Sequence, residues 1–212
     1  MTDLSFPDTD CTAPTKLKVV GVNATTTAPT RYRVDVIGST AADVVLEAGG
    51  WLFDRAIRGW DVNVHLANCA DSRPLQILGV KSLALQPGFE SSGSFLSTQA
   101  LAVAVEMVTG DAAVRAAVNA ALDHCHTEVT LWGAKCPSEL HRRLDTVLHD
   151  LSAAARAYKA QALVAAGVHD YRLQATEKFR NCARLLPHDD ADLAPLHSTR
   201  SQRSTGTTRQ AP

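Results

Sequence analysis

Four short stretches of the chain repeat one pattern, in which aliphatic residues alternate with other residues over five positions. Three of the stretches end on glycine and the fourth ends on leucine. Alternation with a period of two is typical of β-strands, because successive side chains point to opposite faces of a sheet. The pattern therefore predicts strands that include residues 34–38, 62–66, 75–79 and 129–133.

Aligned on their first aliphatic residue, these strands have one aliphatic face and one half-polar face. The aliphatic face carries residues such as Val34, Val62 and Val129, whereas the other face carries residues such as Asp35 and Asn63. Sheets covered on both faces usually have continuous apolar runs. Two interpretations remain open: the polar positions lie near the strand starts, where the sheet meets water, or the second face is open to a ligand, a partner or a thin helical cover.

The first predicted helix follows the first strand and covers residues 41–58. Thr40 precedes it and Asp43 comes three residues later, an arrangement that indicates a capping box for the free N–H groups of the first turn. Gly49 and Gly50 lie inside this helix. They indicate either close packing of the helix on the sheet or a break that lets backbone approach a ligand.

Further helices are predicted along the second half of the chain. Residues 98–108 are apolar on nearly every side and predict a buried helix, and residues 111–123 predict another. In the stripe Leu140–Ala162, apolar residues recur four and three positions apart, which predicts one long helix that begins at Pro137. Residues 170–182 predict the last helix.

Together these elements indicate an α/β fold with a small central sheet of about four to five short strands, flanking helices and two C-terminal helices. Residues 1–30 are expected to be a flexible N-terminal segment, in which residues 16–23 have the pattern of one short strand. Residues 31–136 are expected to form the α/β core, and residues 137–186 a helical part packed on it. Residues 187–212 lack hydrophobic periodicity and predict a disordered tail.

Composition narrows the class of protein further. The net charge is −1, so the chain lacks the basic excess that is typical of nucleic-acid binders. It has no apolar run long enough for a transmembrane helix, and its first residues do not resemble a secretory signal. Five cysteines at irregular spacing indicate reduced thiols rather than a disulfide framework. We therefore expect a soluble, cytoplasmic protein without membrane or nucleic-acid partners.

The glycine-ended strands indicate where a site would lie. Ligands of open α/β sheets bind at the carboxyl ends of the strands, and hydroxyls or lysines at helix starts favour anions. The candidate anion ligands that follow these strands are Ser39, Thr40, Lys81, Ser82 and Lys135. The spacing is neither that of a Walker A loop nor that of a dinucleotide-binding Gly-rich loop. Ordinary helix caps beside surface lysines are the competing interpretation.

Two further sets of residues have side chains that are common in metal sites or in nucleophilic catalysis. The run His124-Cys125-His126, with Cys136 and His141, has metal-binding residue types but lacks the close paired spacing of structural zinc sites. Cys136 precedes a predicted helix start, which would favour a thiolate nucleophile. Neither set has a specific signature, so no catalytic residue, metal or cofactor is assigned.

Because no catalytic, metal or nucleotide signature is present, the sequence favours a non-enzymatic ligand-binding or protein-interaction module. One alternative is an enzyme that acts on a phosphorylated or otherwise anionic small molecule. A second alternative is a structural protein that self-associates, or binds a partner, through the Leu140–Ala162 helix.

Overall fold

The central element of the structure is a mixed β-sheet. The computed structural model describes residues 31–87, 98–124, 127–182 and 193–195. Within those ranges the sheet has eight strands, in the spatial order β3-β2-β1-β4-β5-β7-β6-β8. The strands are β1 (Arg33–Gly38), β2 (Asp61–Leu66), β3 (Lys81–Ala84), β4 (Ala100–Ala104), β5 (Glu128–Trp132), β6 (Asp145–Asp150), β7 (Thr176–Cys182) and β8 (Ala194–Pro195).

The first five strands are parallel, and the last three join the sheet antiparallel. β7 pairs with β5, β6 pairs with β7, and β8 pairs with β6. The α/β class is thus confirmed, whereas the expected sheet of about four to five strands is too small. The helices are α1 (Ala41–Ile57), α2 (Arg73–Ile77), α3 (Val105–Gly110), α4 (Ala112–His124), α5 (Ser138–His141) and α6 (Ala153–Ala165).

Both faces of the sheet are covered by helices. Val34 and Val36 face a core that includes buried residues of α1, α2 and α6. Ile37 and Leu101 face a second core, formed with α3 and α4. The parallel register pairs Val34 with Ala100 and Ala100 with Glu128, which places Val129 on the opposite face from Val34. The alignment of β5 with the other strands was therefore wrong by one residue, and such a shift exchanges the two faces.

Asp35 shows that the polar positions of β1 are inside the protein. Its side chain is fully buried, Arg33 Nη2 lies 2.7 Å from one of its oxygens, and Asn63 Nδ2 lies 3.2 Å from the other. Burial by itself would raise the pKa of Asp35, but hydrogen bonds from His65, Arg33 and Asn63 and the charge of Arg33 outweigh it and lower the pKa. Asp35 is therefore a polar residue of the interior that pairs with neighbouring side chains, rather than a residue that contacts water or a ligand.

Two short apolar segments have the opposite secondary structure from the one predicted. Residues 75–79 were predicted as a strand, but Leu75 lies in α2, which has Pro74 at its start. Residues 98–108 were predicted as a helix, but they form β4 and only then α3. β4 lies between two parallel neighbours and is buried on both faces, so its run is continuously apolar, and period alone does not distinguish such a run from a buried helix.

The prediction of two long C-terminal helices is also wrong. Residues 137–162 form α5, β6 and α6, and residues 176–182 form β7. The part from 137 to 182 is therefore not purely helical: it contains α5 and α6 but also supplies two strands, β6 and β7, to the sheet. In β7 the buried positions include the polar residues Glu177 and Asn181, so the sequence lacks the alternation of apolar and polar residues that predicts a strand. No single Leu140–Ala162 helix exists that could support self-association. The predicted N-terminal segment 1–30 lies outside the described residues, as does the predicted tail 187–212 except for 193–195.

One turn of helix α1 is bound by an ion pair whose members come from two other elements, Lys159 of α6 and Glu177 of β7. Glu177 accepts hydrogen bonds from the backbone N–H of Gly50 (2.9 Å) and of Trp51 (2.8 Å), and Lys159 donates to the carbonyl of Leu46 (2.6 Å). Lys159 and Glu177 lie 2.5 Å apart. An uninterrupted α-helix pairs the N–H of Gly50 with the carbonyl of Leu46. The ion pair therefore binds the backbone groups of this turn, and it attaches α6 and β7 to α1.

Two more buried pairs connect α1 to the sheet. Arg55 Nη2 lies 2.9 Å from Glu128 Oε2 of β5, and its guanidinium carbon lies 4.4 Å and 4.2 Å from the ring centres of Trp51 and Trp60. Asp54 accepts from the backbone N–H of Ser152, and His149 Nε2 of β6 lies 2.9 Å from the same carboxylate. Every strand of the antiparallel half except β8 is thus tied, directly or through β5, to this helix.

The two adjacent glycines of α1 differ in their surroundings, and this difference can be tested. A Cβ at Gly50 would lie 2.4 Å from Leu151 Cδ2, whereas a Cβ at Gly49 would approach Leu78 and Val45 no closer than 3.3 Å. We expect Gly50→Ala to lower the free energy of unfolding by about 1–3 kcal/mol through overpacking. Gly49→Ala, the matched control, should stay within about 1 kcal/mol of wild type because alanine favours the helix. Urea denaturation measures both; equal effects at both positions would contradict close packing at Gly50.

The Asp54–His149 pair predicts a pH dependence of stability. Burial would raise the pKa of Asp54, but hydrogen bonds from Ser152 and His149 and the charge of His149 outweigh it and lower the pKa. A lowered folded-state pKa adds stability above the unfolded value of about 3.9, and this stability is lost as pH falls through the folded pKa.

We expect Asp54→Asn to cost roughly 1–3 kcal/mol at neutral pH and progressively less below about pH 4. Urea midpoints measured from pH 3 to pH 7 test this. Asp61→Asn, which removes the exposed partner of Lys81, is the control and should cost about 0–1 kcal/mol. A cost of Asp54→Asn that does not change with pH would refute the linkage.

Candidate active site

The strand order identifies where a ligand crevice should open. From β1 the chain passes through α1 to β2 on one side, while β4 lies against the other side of β1. At such a switch point the connecting helices leave on opposite faces, and a crevice forms outside the carboxyl ends of the strands. A cavity lies at this edge of the sheet.

A cavity of about 370 Å³ opens beside the ends of β4 and β5. Three parts of the chain line it: the first turns of α1, the junction of β4 with α3, and the residues that follow β5. Its lining residues are Asp43, Leu46, Glu47, Ala104, Val105, Glu106, Thr109, Trp132, Gly133, Ala134 and Lys135. This volume suits a small molecule or one end of a larger one.

Asp43 is the acidic residue whose position the local structure controls most directly. Thr40 is the N-cap of α1, and its hydroxyl accepts from the backbone N–H of Asp43 at 3.2 Å. The same hydroxyl donates to Asp43 Oδ2 at 2.6 Å. The predicted cap is thus present, with one difference: the carboxylate binds the Thr40 hydroxyl. The bond holds Asp43 at the rim of the cavity.

The charges around this cavity are mainly negative. Asp43, Glu47 and Glu106 contribute three carboxylates, and Lys135 contributes one ammonium group. Carboxylates in a lining attract a cationic ligand and repel an anionic one, most strongly where water is partly excluded. The lining therefore favours a neutral or positively charged group over an anion.

The five residues predicted to bind one anion do not converge. Thr40 caps α1, the carbonyl of Ser39 accepts from the N–H of Asn68, and Lys135 lines the cavity. Lys81 and Ser82 lie on β3 at the far edge of the sheet. Three strands separate β3 from β5, so four inter-strand steps put roughly 19 Å between them. Lys81 instead pairs with Asp61 at 2.7 Å.

Glu47, Glu106 and Thr109 line the cavity but were not among the predicted site residues. Glu47 looks like an ordinary solvent-exposed helix residue in the sequence. Glu106 follows the run Ala100–Val105 immediately, and recognition of that run as a buried strand would have placed Glu106 at a carboxyl end. The signal was therefore present for Glu106 but depended on the assignment of β4.

The structure does not favour Cys136 as a nucleophile or the His and Cys residues as a metal site. Burial raises the pKa of Cys136, although the charge of Arg180 acts against this effect, so the thiol form is favoured over the nucleophilic thiolate. Cys125 and His126 lie outside the described residues. Among the residues that the structure does describe, no three His, Cys, Asp or Glu side chains are grouped so that they could hold a metal ion.

In the described part of the chain no helix is long and apolar enough to span a membrane.

Comparison with known proteins finds similarity in fold. No protein-family model matches the chain, and no curated protein sequence matches it. Among solved structures, a triple mutant of a deacetylase of the teicoplanin biosynthetic pathway superposes with a TM-score of 0.50 at 13% identity, over 71% of this chain and 97% of the other. The zinc-inhibited form of teicoplanin deacetylase gives 0.50 and 13%, over 70% and 97%. A complex described as deacetylase-bog gives 0.50 and 14%, over 70% and 97%.

These similarities establish a shared α/β fold, and the three structures compared above are deacetylases. The expectation of a non-enzymatic ligand-binding or protein-interaction module is therefore wrong. That expectation depended on the absence of a recognisable catalytic motif. The similarity in fold was not visible to that reasoning, because overall identity to these structures is only 13–14%.

The cap of α1 can be tested through its hydroxyl. We expect Thr40→Ala to lower the free energy of unfolding by about 1 kcal/mol, because it removes the acceptor for the Asp43 N–H and the donor to its carboxylate. Thr40→Ser keeps the hydroxyl and serves as the control, with a cost of a few tenths of a kcal/mol at most. Urea denaturation distinguishes them; equal losses would show that the methyl group, not the hydroxyl, stabilises the helix start.

Proposed function

We propose that the protein is an enzyme that hydrolyses the amide bond of an N-acylated small molecule in the cavity at the ends of β4 and β5. The observation that carries this proposal is the grouping of three carboxylates and one lysine around a single cavity at the carboxyl edge of the sheet. The fold shared with deacetylases supports the same class of reaction.

The side chains allow a simple division of roles. Asp43 acts as the general base, because Thr40 holds its Oδ2 in place while its other oxygen can take a proton from water. The water oxygen forms a bond to the acyl carbon, and Lys135 stabilises the negative charge that develops on the acyl oxygen. The C–N bond then breaks, and the proton passes from Asp43 to the leaving nitrogen. The products are a carboxylate and an amine.

The remaining acids suit the amine product. Glu47 and Glu106 line the same cavity and would attract the protonated nitrogen that hydrolysis releases. The enzyme part of the earlier alternative agrees with the fold, whereas its anionic substrate is not favoured by this lining. Lys135 is the one predicted anion ligand that keeps such a role, here toward a transient oxyanion.

One of the similar structures is described as a zinc-inhibited form of a deacetylase. A metal site normally requires three or four converging His, Cys, Asp or Glu ligands. The described residues provide no such group. No step of the proposed reaction is therefore assigned to a metal.

The proposal is tested by incubating the purified protein with a panel of N-acetylated amines that includes N-acetylglucosamine and N-acetyl-aminohexanoate. Fluorescamine measures the released primary amine, and an enzymatic assay measures acetate. We expect release of both products in equal amounts. Asp43→Asn should lower kcat by about 10²-fold or more, with little change in KM, because it removes the base but not the binding surface.

Glu139→Gln is the matched control, because Glu139 is an exposed acid on α5 that does not line the cavity. It should have wild-type kinetics. Failure to release amine from every substrate of the panel, or wild-type activity in Asp43→Asn, would refute the proposed function or the proposed base, respectively.

A further inference from the structure

A second cavity, of about 320 Å³, lies on the other side of the Leu46–Glu47 turn of α1. It is formed where α1 meets α6 and the segment that leads into β7. Its lining residues are Leu46, Glu47, Lys159, Leu163, Tyr171, Arg172, Leu173, Gln174, Thr176, Glu177 and Lys178. None of the predicted site residues lies here.

Two observations place the second cavity beside the first. Leu46 and Glu47, two residues of one turn of α1, line both cavities. The linings have no other residue in common. In the antiparallel pair of β5 and β7, Leu131 lies opposite Arg180; Gly133 follows Leu131 by two residues and Lys178 precedes Arg180 by two residues, so both lie toward the same edge of the sheet. Gly133 lines the first cavity and Lys178 the second, so both open at the same edge of the sheet.

The two cavities differ in charge. In the second cavity Lys159 and Glu177 form a buried ion pair and neutralise each other. The charges that remain are those of the exposed side chains Arg172, Lys178 and Glu47. Cations therefore outnumber anions in the second cavity, whereas carboxylates dominate the first. Tyr171, Leu163 and Leu173 add apolar surface between these charges.

We propose that the two cavities form one cleft, and that the second is a subsite for an anionic carboxylate or phosphate group of the substrate. This inference depends on the proposed amide hydrolysis and specifies its substrate class. The acyl-nitrogen end lies beside Asp43, Glu106 and Lys135, and an apolar spacer crosses Leu46. The anionic end pairs with Arg172 and Lys178. The carboxylates of the first cavity and the cations of the second cavity then favour a single orientation of such a substrate.

Inorganic phosphate is the probe for the subsite itself. We expect a phosphate titration at constant ionic strength to shift the backbone amide resonances of residues 171–178 in ¹H–¹⁵N NMR spectra. The double variant Arg172→Gln, Lys178→Gln should weaken phosphate binding by roughly tenfold or more, because it removes both charge-assisted contacts. Arg156→Gln, which replaces an exposed arginine of α6 outside both cavities, is the matched control and should bind as wild type does. Both replaced side chains are exposed, and thermal unfolding verifies that the double variant is folded.

A phosphate titration without shifts at residues 171–178, or with binding unchanged in the double variant, overturns the subsite whatever the enzyme's activity. The link to catalysis is measured with N-acetyl-aminohexanoate and its neutral primary amide. Wild type should prefer the carboxylate in kcat/KM by about tenfold, mainly through KM, and the double variant should lose this preference. Equal kcat/KM values for both compounds in wild type overturn the assignment of the anionic group. Absence of hydrolysis while phosphate still binds at residues 171–178 refutes the proposed function but not the anion subsite.

Discussion

The ion pair between Lys159 and Glu177 is the interaction on which the arrangement of this protein depends. It is buried, and it binds backbone groups of α1 from two other elements at once, α6 and β7. Burial of two charges is costly unless each is fully hydrogen-bonded. Here the backbone of one helical turn supplies the missing partners, so the pair is satisfied only when α1, α6 and β7 are in this mutual position.

The same turn of α1 separates the two cavities. Leu46, whose carbonyl receives Lys159, and the neighbouring Glu47 line both of them. One end of α1 begins at the Thr40 cap and holds Asp43, and its middle is held against Leu151 at Gly50. The helix is thus fixed at its start and in its middle, and the residues between these points form the wall shared by the cavities. The ion pair thus helps to position the wall that the two cavities share.

The proposed chemistry also explains why residue types alone pointed away from an enzyme. Carboxylates and lysines are the commonest residues of any protein surface, and in the sequence Asp43, Glu106 and Lys135 are separated by long stretches. Of these, Asp43 was predicted only as a helix cap and Lys135 as an anion ligand. They come together because the carboxyl ends of parallel strands meet at one edge, and that grouping depends on strand order.

By itself the sequence determined the elements whose periodicity is local: β1, α1 with its Thr40 cap, β2 and β5, and hence the α/β class. The tertiary structure decided the rest. β4 became a strand because neighbours bury both of its faces, and β7 because buried partners form hydrogen bonds with the carboxylate of Glu177 and the Nδ2 group of Asn181. The stripe from Leu140 to Ala162 fits a helix by spacing, but its residues are divided among α5, β6 and α6, because inter-strand hydrogen bonds and burial outweigh weak helix propensity. The grouping of charges around the two cavities also depends on the tertiary structure, since long-range strand order and register, rather than local pattern, bring these charges together.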